Sequence, residues 1–106
     1  MSKHGLIDVL TCAPEDQDKL FDLLIHIAQH LETIDDCLYF VISKEVNNPT
    51  KIWVTELWTS KAAHDESLAN AGHILEYIHE AMLLINKDER QRATLVPILG
   101  KGIPRE

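Results

Sequence analysis

Apolar residues recur at helical steps in two parts of the chain and run almost unbroken in two others. Leu20, Leu24, Ile27 and Leu31 form one helical stripe, widened by Phe21, Leu23 and Ala28, with Asp22, His26, Gln29 and Thr33 on the opposite side. Pro14 suits a first helical position, and Glu15, Asp16 and Asp18 complement the positive helix end, so this helix is predicted to open at Ala13 and Pro14. A second helical region is predicted over 60–85, on the stripe Leu68, Ala71, Leu75, Ile78, Met82 and Ile85. Asn70-Ala71-Gly72 should break or kink it, because glycine weakens a helix interior.

The remaining apolar segments read as strands. Residues 6–12 form a short one. Residues 37–46 are centred on Cys-Leu-Tyr-Phe-Val-Ile, whose lack of alternation predicts burial on both faces. Asn47-Asn48-Pro49-Thr50 reads as a turn leading into a strand over 51–58, with Ile52, Val54 and Trp58 on one face and Trp53 and Leu57 on the other. Residues 92–97 can form a last strand, whose proline favours an edge. Strand, helix, strand, strand, helix, strand predicts an α+β, ferredoxin-like split βαβ fold with one antiparallel sheet and helices on one face. The chain of 106 residues is then one domain, with 99–106 as a tail. The other sheet face carries aromatic and branched residues that water should not cover. A second subunit's sheet is the simplest cover, which predicts a homodimer.

Charge and cysteine usage narrow the setting. The formal charge is −7 with no local Lys/Arg cluster, which argues against nucleic-acid binding. The first residues, Met-Ser-Lys-His-Gly, lack an apolar leader core, and no apolar run approaches membrane-span length. Cys12 and Cys37 lack metal-like spacing and read as buried thiols in a reducing compartment. The expectation is a soluble cytoplasmic protein.

Candidate chemistry concentrates where the strand over 51–58 meets the second helical region. Thr59 and Ser60 can cap the helix start. Four residues back from Leu68, the stripe reaches His64 and aims it inward, just after Trp58. His64 is therefore either a core or rim histidine satisfied by a backbone carbonyl, or a pocket-lining histidine. Trp58 is either core or pocket wall. Ser67 either bonds back to its own helix or donates to a ligand oxygen. Glu56 reads as a surface or strand-paired carboxylate, or as one that holds a helix N–H. Tyr39 and Phe40 point to opposite faces, one toward the interface and one toward the pocket. His26 and His30 lie one helical turn apart, but no third ligand joins them and no glutamate lies between, so no metal is expected.

Glu56-Leu57-Trp58-Thr59-Ser60, the element order and the buried sheet resemble the antibiotic biosynthesis monooxygenase family over about residues 5 to 98. Within it, Trp58, Ser60, His64, Ser67 and Leu68 are similar to the pattern Trp-x-Ser-x-x-x-His-x-x-Ser-Leu of a branch described as candidate quinol monooxygenases. The resemblance implies a dimeric α+β barrel, with a pocket between sheet and helices in each subunit. It implies oxidation of a small quinol-like or polycyclic aromatic substrate by dioxygen, with no metal or flavin. The fold also hosts haem degraders, but Ser67 and Tyr77 stand near their tryptophan and iron-binding histidine and His73 and His79 are out of register, so no haem is expected. His64 would then be catalytic, and Trp58, Ser67, Phe21, Leu24, Leu68 and Phe40 would hold the substrate. The chain differs from many members at Ser67, where they carry a histidine; His64, one turn earlier, is the nearest replacement. The fold also hosts stress proteins, so a dimeric small-molecule binding or stress-response module without turnover is the competing expectation.

Overall fold

The computed structural model describes residues 2–103. Seven elements follow in order: β1 (His4–Thr11), α1 (Gln17–Leu31), β2 (Cys37–Glu45), β3 (Asn48–Trp58), α2 (Lys61–Ala69), α3 (Ile74–Leu84) and β4 (Gln91–Leu95). The strands form one antiparallel sheet in the order β2-β3-β1-β4. This is the split βαβ, ferredoxin-like arrangement of an α+β fold. Of the expected tail, residues 104–106 lie outside the described residues.

Strand parity and register sort the side chains into two faces. Leu10 pairs with Ile52 and Asp8 with Val54, so these four share one face with Trp58. On that face Leu10, Ile52, Val54 and Trp58 pack against Leu20, Leu24 and Ile27 of α1 and Ile74 and Ala81 of α3, forming the core. The α1 stripe predicted from periodicity is the buried stripe, with Leu20, Leu23, Leu24, Ile27 and Leu31 all buried.

Four local features differ from the sequence reading. A 3-10 turn over Pro14–Asp16 precedes α1, as tight turns often do at helix starts. The hairpin turn sits at Val46 and Asn47, and Asn48–Thr50 already belong to β3. The ladder jumps from Lys44–Ile52 to Glu45–Asn48, and Pro49, which has no N–H to give, lies in that irregularity. β4 ends at Leu95, before Pro97. Finally, β2 is not covered on both faces. Tyr39 and Val41 lie on the outer face at 43% and 48% exposure, because the helices cover only the other one.

The second helical region does break, at Gly72, whose φ of +59° favours glycine. Ser60 caps α2, its Oγ accepting from the Ala63 N–H at 3.0 Å. The break interrupts the predicted stripe. Ala71 and Ile85 are buried, but Leu68 is 42% exposed. Among the described residues no helix is long and apolar enough to cross a membrane.

Candidate active site

A cavity of about 220 Å³ lies between the inner sheet face and the helices. Leu24, Ile27 and Leu31 of α1, Ile78 and Met82 of α3 and Phe40 of β2 supply apolar wall. The register sets a different group of side chains on its floor. Glu56 stands opposite Leu6, Asp8 opposite Val54, and Arg92 opposite Asp8. Glu56, Asp8 and Arg92 are thus neighbours on one face of three adjacent strands, and all line the cavity.

Trp58, His64, Ser67, Leu24, Leu68 and Phe40 of the expected set also line it. Phe21 does not. It sits one position off the centre of the α1 stripe, against the core margin, with Lys44 Nζ 5.0 Å from its ring centre. Leu68 borders the cavity while remaining partly exposed, so it serves as rim rather than core.

His64 is 12% exposed at its side chain and stands edge-on to Trp58, with ring centres 5.1 Å apart. Its Nδ1 lies 3.4 Å from Asp65 Oδ1, and its Nε2 lies 4.0 Å from Glu56 Oε1. A proton on Nδ1, directed at Asp65, leaves the Nε2 lone pair facing Glu56. Lys61 donates to Asp65 at 2.7 Å and is the main reason that carboxyl is held below its ordinary range. The His4 ring, paired in register with Trp58, lies 5.3 Å from His64. Burial first, and then the charge of His64, lower the pKa of His4, which favours its neutral form.

Glu56 has the most constrained environment. Its Oε1 accepts a hydrogen bond from Trp58 Nε1 at 3.0 Å. Burial raises its pKa, against the opposing pull of that bond and of His64 and Arg92. A carboxyl that resists ionisation, beside an imidazole and inside a cavity, is a proton-handling arrangement. Cys37 is close enough to feel Glu56. Burial and that carboxylate push its thiol up to about 11, so it is not a nucleophile at neutral pH.

Asp8, Arg90 and Arg92 complete the polar side. Arg90 donates to both Asp8 oxygens, from Nε at 3.0 Å and Nη2 at 2.6 Å. Arg92 Nε lies 4.0 Å from Asp8 Oδ2, beyond hydrogen-bond reach. Sequence reading missed these three residues and His30, which also lines the cavity. His30 and His26 diverge. His26 is exposed, its Nδ1 2.8 Å from the Asp22 carbonyl, and it stacks on Tyr77.

Comparison with known proteins agrees with this architecture. A family model for antibiotic biosynthesis monooxygenases matches residues 5–79. A candidate antibiotic biosynthesis monooxygenase from Chloroflexus aurantiacus J-10-fl is 31% identical, with a TM-score of 0.78 over 97% of this chain and 100% of that one. A second from Deinococcus radiodurans is 23% identical, covering 97% of this chain and 98% of that one at a TM-score of 0.76. A third from Bacteroides thetaiotaomicron VPI-5482 is 13% identical, covering 99% and 97% at a TM-score of 0.83. The latter two likenesses are of fold alone. No curated protein matches the chain. With its model matched over most of the sequence and its sheet, cavity and Trp58–His64 joint in place, the chain belongs to the antibiotic biosynthesis monooxygenase family.

Proposed function

We propose that the protein is a cofactor-independent monooxygenase that oxidises a small quinol-like or polycyclic aromatic substrate with dioxygen. The observation that carries this reading is the cavity itself: largely apolar, unfilled by side chains, and bordered by His64, Glu56 and Trp58. Such a site can hold a flat ring, limit water and receive a proton. An anthrone-type CH₂ illustrates the balance. His64 Nε2 takes a proton from the substrate, and the resulting carbanion gives electrons to dioxygen. Conversion of CH₂ to C=O releases four electrons, so one oxygen atom enters the product and the other leaves as water. The imidazolium formed on His64 faces Glu56, whose carboxylate form stabilises it. Trp58 supplies an aromatic wall and keeps Glu56 oriented. Ser67 is a donor to a substrate oxygen.

The homodimer belongs to the same reading. Tyr39, Val41 and Leu95 on the outer sheet face are 43%, 48% and 44% exposed, which supports a second copy packed there. Sedimentation at micromolar concentration should give a dimer; a stable monomer would defeat this part. Both cysteines are free thiols, which supports a cytoplasmic setting. The test of activity is oxygen uptake with hydroquinones and anthrones. Turnover should require oxygen and fall about 10²- to 10⁴-fold in His64→Ala. Ligand binding with no uptake across the panel would instead establish a binding module without turnover.

A further inference from the structure

The polar side of the cavity holds a guanidinium that the proposed oxidation does not use. Asp8 has both oxygens committed to Arg90, in a bidentate pair. Arg92 stands beside this pair on the edge strand, in register with Asp8 and lining the cavity. Its side chain is half exposed, and among the described residues it makes no side-chain hydrogen bond. Glu56 is the remaining carboxyl on this floor. Its Oε1 is already engaged by Trp58 and lies 4.0 Å from His64 Nε2. Arg92 therefore lines the cavity with its hydrogen-bonding fork unused, its ion-pair contact with Asp8 being a distant 4.0 Å. A guanidinium fork matches a carboxylate in shape, and apolar walls strengthen the pairing.

We propose that the cavity takes hydroxylated aromatic carboxylates, with Arg92 receiving the carboxylate and setting the preference over uncharged analogues. The inference rests on the reading of the cavity as an aromatic site, but not on turnover. Size is consistent with it. A cavity of about 150 Å³ holds a single benzene ring, so this one of about 220 Å³ has room for an aromatic bearing a small acidic group.

The test is a titration of the full chain with 1-hydroxy-2-naphthoate and with 1-naphthol at neutral pH, followed by calorimetry. The naphthoate should bind about 10- to 100-fold more tightly than the naphthol, the range of a charge-assisted hydrogen bond. Added salt should narrow the gap. In Arg92→Gln the gap should close with naphthol affinity unchanged, and in Arg92→Lys it should partly remain. A thermal melt of each variant establishes that it is folded. Equal affinities in the unmodified chain, or a gap that survives in folded Arg92→Gln, would overturn the inference while leaving the aromatic cavity standing. If neither compound binds, the aromatic reading fails and this inference fails with it.

Discussion

Trp58→Phe should destabilise the fold through two separable effects. Trp58 is 2% exposed and is among the largest fully buried side chains. Its indole N–H donates to Glu56 at 3.0 Å, and that carboxyl is itself only 16% exposed. Phenylalanine keeps an aromatic ring but has no donor. Loss of a hydrogen bond to a charged or chargeable group costs about 1.5–3 kcal/mol. The ring is also smaller by roughly 40 Å³, and a residual cavity at about 24 cal/mol per Å³ adds about 1 kcal/mol. The sum is about 2.5–4 kcal/mol, read as the change in urea unfolding at fixed protein concentration. The two effects are separated by a cycle with Glu56→Gln. The amide still accepts from the indole but carries no charge, so Trp58→Phe should cost less in that background, with a coupling of about 1 kcal/mol. A single-variant cost near 1 kcal/mol with no coupling would mean that the indole is not bonded to Glu56. The account of how that carboxyl is held would then be refuted.

Three further outcomes are expected. Because burial raises the pKa of Glu56, the folded chain holds a proton there that the unfolded chain releases near the ordinary value of 4.5, so stability falls as pH rises from that point through the raised value. Glu56→Gln should therefore gain stability relative to the unmodified protein across that window, as measured by melts at stepped pH; a constant difference at all pH values would contradict this. Ser60→Ala removes the cap of α2 and should cost about 1 kcal/mol in chemical denaturation, with Ser60→Thr largely preserving stability. Gly72→Ala meets no neighbouring atom but must hold a φ of +59°, and should cost about 1–2 kcal/mol by the same measurement; a neutral effect would mean that the α2–α3 junction relaxes freely.

What was legible in the sequence was whatever local periodicity fixes. The α1 stripe needed only the spacing of Leu20, Leu24, Ile27 and Leu31, and the buried face followed. His64 lies within one turn of the strand end that carries Trp58, so short-range geometry brings the two rings together. The same reasoning failed where it was carried too far. One stripe drawn from Leu68 across Gly72 ignores the end of α2 at Ala69, and Leu68 lies at the rim. Phe21 lies on the flank of its stripe, and only the position of β2, with Lys44 over the ring, decides that it misses the cavity. Pro49 signals a turn by its residue type, whereas the strand absorbs it as an irregularity.

The polar floor was illegible for a different reason. Asp8 and Arg90 are 82 residues apart and meet only because β1 lies between β3 and β4 in the sheet. No local pattern encodes that adjacency. One signal was nevertheless present. Asp8 interrupts the run Leu6-Ile7-Asp8-Val9-Leu10 at the parity of Leu6 and Leu10, so a strand that buries Leu10 must bring the carboxylate to the same face. An ionised carboxylate there is costly without a partner. Five of the chain's ten Lys and Arg residues follow α3, and Arg90 and Arg92 bracket the start of β4, two residues apart. A last strand pairing antiparallel with β1 would carry them toward Asp8, and the observed register sets Arg92 opposite it. One carboxylate then faces two guanidiniums, and the short bonds go to Arg90. The hydrogen-bonding fork left free on Arg92 is therefore a consequence of strand order and parity, and it falls on the face that also carries Glu56 and Trp58.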